Sequence, residues 1–393
     1  MKKVLAPKDA SVLVPVKMWL DDCEDAAIEQ VKNVASLPFA YKHIALMGDA
    51  HFGFGCPIGT VCATQGVVLP SLVGVDIGCG MCAVKTTIEA AEVDLKAIMG
   101  IIRRTIPVGF KHHAKPQDGK WMPSLNGAGL CANAVVLEEY ESARNQVGTL
   151  GGGNHFIELQ RDEQGFLWIM IHSGSRNLGY KVAKYYNDEA KRINQKWFSQ
   201  VDPKWDLAFL PLDSSWGTCY MAEMNYCVEF ALKNRELMLY RAAMAVEQVV
   251  GKVEFEPTIN IAHNYAAMEN HFGKNVVVHR KGATRARKGE IGIIPGSQGT
   301  SSYIVRGLGN PESFQSCSHG AGRVMGRKEA KRTLDLEAEK KRLDDQGIIH
   351  SIRSRDDLDE AASCYKDIDT VMENQSDLVE IVTRLEPLAV VKG

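Results

Sequence analysis

The chain has 393 residues, of which 45% are hydrophobic and 24% are charged. This composition is typical of a globular protein with a sizeable core, and it excludes a disordered chain, a collagen-like repeat and a membrane-embedded body. Lysine and arginine total 46 against 48 aspartates and glutamates, a formal net charge of −2. A globally basic nucleic-acid coat is therefore excluded, whereas a local basic groove is not.

Apolar runs and longer amphipathic segments alternate irregularly along the chain. In chain order they predict a helix at 22–35, strands at 44–47 and 167–171, helices at 182–197 and 221–250, strands at 258–262 and 275–278, and helices at 329–343 and 368–382. Because the strands and helices do not follow a clean βαβ rhythm, we expect an irregular α+β fold and not a doubly wound sheet.

The amino-terminal segment does not read as a targeting signal. It begins with lysines, and Pro7, Pro15 and Lys17 interrupt any apolar core of a signal peptide. No run reaches the roughly 18 consecutive apolar residues that a bilayer-spanning helix needs. We therefore expect a cytoplasmic protein with no membrane partner, in which the ten cysteines are thiols.

Glycine is concentrated in short clusters that also carry histidine, aspartate or cysteine. These clusters lie at 48–59, 74–80, 148–153, 174–179, 292–309 and 320–326. Glycine lets a backbone approach a ligand closely. Several such loops, each with metal-binding or nucleophilic side chains, predict that the loops converge on one site.

Side chains suited to a borderline divalent ion occur in four of these motifs, VGVDIGCGM, LGGGNHFIE, HSGSRNLG and INIAHNYA. The candidate ligands are Asp76, Cys79, His155, His172 and His263. A mixed set of thiolate, imidazole and carboxylate suits Zn²⁺ or Mn²⁺. Each histidine taken alone could instead be a hydrogen-bonded core residue. Cys79 and Cys82 form a CxxC, but no thioredoxin-like context or second CxxC accompanies it, so we expect Cys79 to be a ligand and Cys82 to fill the core.

The segment from His279 to Arg327 interleaves arginine and lysine with glycine and hydroxyl residues. Backbone N–H groups and cationic side chains in this combination hold phosphates, although neither a Walker A loop nor a GxGxxG motif is present. The alternative is a solvated basic face on a hairpin. Within it, His319 lies between small residues in SCSHGAGR, where it could act as a nucleophile or could cap a helix that begins near Ala321.

Nine motifs, in this order, resemble those of the RtcB family of RNA-splicing ligases. They are DAHFGFGCPIGTV, VGVDIGCGM, LGGGNHFIE, HSGSRNLG, HNYA, HRKGATRA, PGSQGTSSYIVRG, SCSHGAGRVM and a terminal VVKG. The resemblance spans about Val16 to Gly393. It implies one compact catalytic domain over residues 1–393, with central β-sheets flanked by helices and Lys392 folding back into the active site.

The resemblance also implies an activity. Proteins of this family join an RNA 3′-phosphate, or a 2′,3′-cyclic phosphate, to a 5′-hydroxyl with GTP and two Mn²⁺ ions, in tRNA splicing or RNA repair. His319 would accept GMP, and Asp76, Cys79, His155, His172 and His263 would hold the two ions, with Cys79 shared. The guanine nucleotide would contact Asn154, Phe156, Glu158, Ser297, Ser302, Gly320, Ala321, Gly322, Tyr365 and Lys392.

Other residues have less specific expectations. Asp49, Arg176 and Lys281 are candidates for contacts with phosphate or an RNA end. Charge clustering suggests RNA-backbone contacts by Arg103, Arg104, Lys111, Lys115 and the basic residues from Arg280 to Arg287. Two alternatives stay open, a metal-dependent phosphoesterase and a non-catalytic RNA- or ribosome-binding repair adaptor. A protein partner that activates the enzyme is also compatible with the sequence.

Overall fold

A computed structural model gives the structure of the protein and describes residues 1–7 and 12–393. The helices in those ranges are α1 (Asp25–Ala35), α2 (Leu95–Thr105), α3 (Val135–Arg144), α4 (Arg176–Lys196), α5 (Ser215–Val250), α6 (Arg327–Thr333), α7 (Leu336–Asp344) and α8 (Ile368–Asn374). The strands are β1 (Lys3–Leu5), β2 (Val16–Met18), β3 (Ala40–His51), β4 (Ile58–Thr64), β5 (Val67–Val68), β6 (Gly80–Glu89), β7 (Phe156–Asp162), β8 (Phe166–Ser173), β9 (Leu210–Pro211), β10 (Ile259–Ala262), β11 (Asn264–His271), β12 (Lys274–Lys281), β13 (Ala283–Arg285), β14 (Ile291–Ile294), β15 (Ser302–Gly307), β16 (Ser316–Ser318) and β17 (Val379–Lys392).

Two large sheets organise these strands. The six-stranded sheet has the order β1-β2-β3-β4-β12-β11, and the seven-stranded sheet has the order β10-β6-β8-β7-β17-β15-β14. Strands β2 and β3 pair in parallel, and the other pairs in both sheets are antiparallel. The expected α+β class is confirmed, since helices and sheets are mixed without a parallel βαβ core.

Helices cover both faces of the seven-stranded sheet. On one face, α2 and α5 bury Ile98, Ile102 and Met238 against the strands. On the other face, α6, α7 and the segment that follows them bury residues such as Leu343. Burial of these apolar side chains is the main favourable contribution to the stability of the layers.

Helix α5 is the long central helix. The Ser214 side chain accepts a hydrogen bond from Gly217 N at its start, and its end is at Gly251, which has φ +85°. Its buried residues face the sheet and α4, so it links the loops of several strands. Within residues 1–7 and 12–393, none of the helices combines the length and apolar character that crossing a bilayer requires.

Most of the predicted elements are present, and two predictions about the carboxyl-terminal third need correction. The predicted helix 329–343 is divided into α6 and α7, because the Asp335 side chain caps a new helix by accepting from Ala338 N. The predicted helix 368–382 is wrong beyond Asn374. Residues from Val379 onward form β17, which is hydrogen-bonded to strands on both sides, so tertiary pairing overrides the helical pattern.

The expectation that all ten cysteines are thiols is also wrong for one pair. Cys131 precedes α3 and Cys219 lies in the first turns of α5, and the two form a disulfide with Cα atoms 5.8 Å apart. Such a pairing depends on how α3 and α5 pack together. The sequence spacing of 88 residues does not reveal it. Cys82 fills the core as expected.

Candidate metal and nucleotide site

The seven-stranded sheet aligns several predicted site residues across neighbouring strands. Met81 of β6 pairs with His172 of β8, His172 pairs with Phe156 of β7, and Phe156 pairs with Lys392 of β17. Paired residues of adjacent strands project from the same face. The register therefore places His172, Phe156 and Lys392 side by side, and His155 immediately precedes this row.

His263 reaches the same place from the junction of the two sheets. It is the single residue between β10, in the seven-stranded sheet, and β11, in the six-stranded sheet. His263 N donates to Cys79 O at 2.8 Å, and Ala283 N donates to His263 O at 3.2 Å. These backbone hydrogen bonds fix the histidine beside the loop that carries Cys79.

The five predicted metal ligands form two groups that share one thiol. Cys79, His172 and His263 make one group, and Asp76, Cys79 and His155 make the other. Cys79 Sγ lies 3.3 Å from His172 Nε2 and 3.4 Å from His155 Nε2. His172 Nε2 lies 3.4 Å from His263 Nε2, and His155 Nε2 lies 3.0 Å from Asp76 Oδ2. The prediction that these residues come together is confirmed.

The chemistry of these groups fits divalent cations. His155 Nδ1 lies 3.0 Å from Leu150 O, and His172 Nδ1 lies 3.1 Å from Asn154 O. A carbonyl can only accept, so each Nδ1 carries the proton and each Nε2 turns a lone pair toward the cluster. Burial lowers the pKa of His172 and of His263 well below the usual value. The converging lone pairs of neutral imidazoles repel one another, and a shared metal ion would replace this repulsion with coordination.

The charge of the cluster depends on the Cys79 thiol and on a buried arginine. Burial, followed by the negative charge of Asp76, raises the pKa of the Cys79 thiol, so a thiolate there requires a cation. The fully buried Arg235 of α5 donates through Nη1 to Gly78 O at 2.9 Å and to Ser173 O at 2.8 Å. Burial lowers the pKa of Arg235 to about 10. Sequence reasoning missed this arginine, because nothing in the helical pattern distinguishes it from a surface residue.

A cavity of about 640 Å³ borders the cluster at His172. The predicted nucleotide residues that line it are Asn154, Phe156, Glu158, Ser297, Gly320, Ala321, Gly322, Tyr365 and Lys392, and His319 lines it as well. Ser302 is buried behind the wall, where its Oγ accepts from Gln160 Nε2 at 3.1 Å and from Gly296 N at 3.2 Å. Ser302 therefore supports the loop of Ser297 and does not face the cavity.

His319 follows β16 and is held by a buried carboxylate. Its Nδ1 lies 2.6 Å from Asp49 Oδ2, and the same oxygen accepts from His319 N at 2.9 Å and from Gly320 N at 3.2 Å. Burial alone would raise the pKa of Asp49, but the charge and hydrogen bonds of His319 lower it. Because Nδ1 faces Asp49, Nε2 faces away from this carboxylate. The His319 ring also lies 4.8 Å from the ring of His263.

Two carboxylates of different character lie near Lys392. Burial raises the pKa of Glu158 to about 7, and its Oε2 accepts from Gln160 Nε2 at 2.6 Å. Glu360, which sequence reasoning missed, accepts from the Tyr365 hydroxyl and lies 3.8 Å from Lys392 Nζ. Arg323 and Arg327 also pair with Glu360. This network links the end of β17 to the segment beyond His319.

Three residues expected at phosphates or RNA occupy other places. Arg280 is fully buried, where it donates to Glu269 Oε1 at 2.5 Å and to Ser316 Oγ at 2.9 Å, so the expected contact with an RNA backbone is wrong for it. Lys281 is buried as well and donates to the carbonyls of Phe54 and Cys56. Asp49 supports His319 from behind and does not line the cavity.

Arg176, by contrast, lies beside the metal ligands. Its Nη1 is 3.4 Å from His155 Nδ1, and its Nη2 donates to Gly109 O at 3.3 Å. It adopts φ +58°, which is unusual for a residue with a side chain and is typical of functional sites. Arg176 therefore contacts the ligand group of Asp76, whereas the His319 ring lies beside His263 of the other group.

Comparison with known proteins gives consistent matches over nearly the whole chain. A family model described as tRNA-splicing ligase RtcB matches residues 30–128 and 124–393. RNA-splicing ligase RtcB1 of Escherichia coli (strain ATCC 25922) is 40% identical, with 96% of this chain and 97% of the relative covered. RNA-splicing ligase RtcB of Escherichia coli K12 is 39% identical with the same coverage, and tRNA-splicing ligase RtcB of Thermococcus kodakarensis is 31% identical over 98% of this chain and 96% of its own length.

Proposed function

The chain belongs to the RtcB family and is an RNA ligase, and from this premise we propose that it joins an RNA 3′-phosphate, or a 2′,3′-cyclic phosphate after hydrolysis, to a 5′-hydroxyl with GTP and Mn²⁺. The observation that carries the proposal is the position of His319. It lies at the wall of the cavity, between the buried carboxylate of Asp49 and the metal-ligand cluster. We further propose that residues 1–393 act as one catalytic domain.

Two Mn²⁺ ions would be held by the two ligand groups, and Cys79 would contribute its sulfur to both. The ions would supply positive charge that stabilises phosphate oxygens in the transition state. The protein's own contribution is the orientation of the ligands. Leu150 O and Asn154 O fix the tautomers of His155 and His172, so that both Nε2 lone pairs are available without rearrangement.

His319 would be the residue that accepts GMP. Asp49 Oδ2 lies against Nδ1 of the ring and would stabilise the positive charge that the imidazole gains on attack. Nε2 forms a bond to the α-phosphorus of GTP, the bond from that phosphorus to the bridging oxygen breaks, and pyrophosphate leaves with the electron pair. A buried carboxylate is suited to this role because it is not screened by water.

The remaining residues of the cavity would hold the guanine nucleotide. Glu158 could accept from the N–H edge of guanine once its carboxyl is ionised, and Lys392 lies with Nζ 5.8 Å from the centroid of the Phe156 ring. An aromatic face and a cation on neighbouring strands suit a base and a phosphate, respectively. Tyr365 and Ser297 complete the wall.

The later steps transfer the GMP group to RNA. An oxygen of the RNA 3′-phosphate would attack the phosphorus of GMP, form a phosphoanhydride and release His319 with its lone pair. The RNA 5′-hydroxyl would then attack the 3′-phosphorus and lose its proton to water, while the anhydride bond breaks and GMP leaves with the electron pair. These displacements need alignment more than strong acid–base catalysis, which agrees with a site made largely of positioning contacts.

The test is covalent labelling of the protein with α-labelled GTP in the presence of Mn²⁺. We expect acid-labile, alkali-stable label on the denatured wild-type protein and none on His319→Ala. His350→Ala is the control, because this histidine lies outside the cavity and pairs with Asp344. An unlabelled wild-type protein with bound metal, even after addition of a cell extract that could supply an activating partner, would contradict the proposal in favour of a phosphoesterase or an adaptor.

A further inference from the structure

The segment 107–117 crosses the surface beside the metal ligands and is anchored at several points. Gly109 N donates to Gly151 O at 2.9 Å, which ties the segment to the glycine-rich loop before β7. His113 N donates to Asn145 O at 2.9 Å, just after α3. Between these two anchors the backbone is held in place, so the intervening side chains project from a fixed position.

Phe110 projects from this anchored segment into solvent. Its relative exposure is 102%, and nothing in residues 1–7 and 12–393 covers its ring. A single exposed apolar side chain is common on protein surfaces and needs no explanation by itself. The neighbours give this one significance. Lys111, His112 and Lys115 are exposed beside it, and the sequence from Pro107 to Gln117 contains neither aspartate nor glutamate.

The position of Phe110 relative to the site is set by Arg176. The guanidinium of Arg176 donates to the carbonyl of Gly109, the residue before Phe110, and also contacts the ring of His155. His155 belongs to the ligand group that contains Asp76, whereas His319 adjoins the other group through His263. Phe110 therefore follows a residue that is held by Arg176, which in turn contacts the ligand group of Asp76.

We propose that Phe110 is a base-stacking residue for the RNA strand that carries the 3′-phosphate, with Lys111 and His112 contacting the backbone of that strand. The inference rests on the proposed function, in which this phosphate approaches the metal cluster. An exposed aromatic ring beside lysines, here Lys111 and Lys115, is the arrangement with which proteins hold single-stranded nucleic acid, since every base has a π-face. Positive charge around the ring complements the phosphates, and the absence of acidic residues from the segment removes any repulsion.

The test uses the full-length, Mn²⁺-loaded protein and single-stranded RNA that ends in a 3′-phosphate, with 2-aminopurine at one of the last four positions. We expect stacking on Phe110 to quench the fluorescence at one of these positions. Phe110→Ala should abolish this quenching and weaken binding about tenfold. Phe110→Trp should retain both, because the replacement keeps an aromatic face. Phe198→Ala is the matched control, since Phe198 is 91% exposed and follows α4.

Salt dependence separates the ring from its cationic neighbours. Phe110→Ala should lower the affinity without changing the slope of log affinity against log salt, whereas Lys111→Ala should reduce that slope by about one. The proposal is overturned if Phe110→Ala binds the 3′-phosphorylated RNA as the wild type does, if Phe198→Ala loses as much affinity, or if the loss is confined to an RNA strand with a 5′-hydroxyl.

These measurements do not depend on the chemistry at His319. RNA binding and quenching need no GTP, so they should persist in His319→Ala. If the protein is never labelled by GTP but the quenching by Phe110 is observed, the proposed chemistry fails and the base-stacking role stands. If labelling is normal but quenching is absent at all four positions, the base-stacking role fails alone.

Discussion

At the scale of single residues, the two carboxylates of the site show how burial and partners decide a role. Asp49 is fully buried beside His319, and the charge and hydrogen bonds of that histidine keep its pKa low. Burial of Glu158 outweighs the opposing charge of Lys392 and the hydrogen bond from Gln160, and it raises the pKa of Glu158 to about 7. The first is therefore a fixed negative charge behind the nucleophile, and the second changes its charge near neutral pH.

This difference predicts a pH dependence for nucleotide binding. Below the pKa of about 7 the Glu158 carboxyl is neutral, and above it the carboxylate would accept from the guanine N–H groups in the proposed complex. We expect the affinity for GDP to rise about tenfold between pH 6 and pH 8, in proportion to the ionised fraction. Isothermal titration across this range measures it. Glu158→Gln is the control and should remove the glutamate-dependent part of the change; an unaltered profile in this variant would assign the effect to another group.

The same ionisation acts in the opposite direction on the stability of the free protein. The pKa of Glu158 is 4.5 in the unfolded chain and about 7 in the folded protein. Between these values the folded protein holds more protons than the unfolded chain. The free energy of unfolding therefore contains a contribution that is present below about 4.5 and is lost as the pH rises through about 7.

At the scale of elements, α5 organises loops that come from distant parts of the sequence. Asn234 Oδ1 accepts from Gly148 N at 2.7 Å and from Thr149 N at 3.1 Å, while its Nδ2 donates to Gly174 O at 3.0 Å. The adjacent Arg235 donates to the carbonyl of Gly78, in the loop before β6, and to that of Ser173, at the end of β8. Two consecutive residues of one helix thus satisfy the backbone of the glycine-rich loops on which the metal ligands depend.

Replacing Arg235 should therefore destabilise the protein strongly. In Arg235→Met the carbonyls of Gly78 and Ser173 lose their donors in a buried site, and we expect a loss of about 3 kcal/mol in the free energy of unfolding. Urea denaturation measures it. Lys233→Met is the control, because Lys233 is more exposed and pairs with Glu236 on the surface of the same helix, and it should change stability by less than about 0.5 kcal/mol. Equal losses in the free energy of unfolding for the two variants would contradict the stabilising role of the buried arginine.

One more feature at this scale concerns the loop after β8. A Cβ atom added to Gly174 would lie 2.1 Å from Asp76 Oδ1, so the absence of a side chain is what allows the carboxylate to approach His155. The sequence predicts that the glycine cluster at 174–179 converges with other loops on one site. The structure supplies the steric reason at this position.

At the scale of the whole molecule, the candidate metal site lies where the two large sheets meet. His263 joins β10 of one sheet to β11 of the other, and the remaining ligands come from the loops and strands of the seven-stranded sheet. A metal ion bound there would connect both sheets. Because the unfolded chain does not hold the ligands in this arrangement, binding should stabilise the folded state.

We expect Mn²⁺ at about a hundred times its dissociation constant to raise the free energy of unfolding by about 3 kcal/mol, and EDTA to remove this gain. At the same Mn²⁺ concentration, the gain should be smaller at pH 5.5 than at pH 7.5, because the dissociation constant rises as the pH falls. Burial raises the pKa of the Cys79 thiol, so metal binding must displace a proton, and lower pH favours the protonated thiol. Thermal or urea unfolding with and without Mn²⁺ measures both effects.

Cys82→Ala is the control for this experiment, because Cys82 belongs to the same CxxC but points into the core. It should lower the stability of the metal-free protein by the loss of a buried sulfur and keep the gain from Mn²⁺. Cys79→Ala should lose most of that gain. If both variants respond to Mn²⁺ as the wild type does, the stabilising ion binds elsewhere.

The sequence alone predicted most of the residues that the structure brings together at the candidate site. Motifs around Cys79, His172 and His319 combine metal-binding or nucleophilic side chains with glycine, and such motifs can be recognised from the sequence. The same local information predicted the α+β class and the helices with strong amphipathic patterns. It failed for residues after Asn374, because β17 is a strand only through its pairing with β7 and β15.

The partners behind the site residues, and the division of the basic residues into buried and exposed ones, depend on how the chain packs. Asp49 is the partner of His319, Arg235 is the buried cation behind the metal cluster, and Arg280 forms a buried ion pair with Glu269. An aspartate or an arginine has the same local pattern whether it faces solvent or a buried partner. Its role depends on contacts between residues far apart in sequence, and these exist only once the two sheets and α5 have packed together.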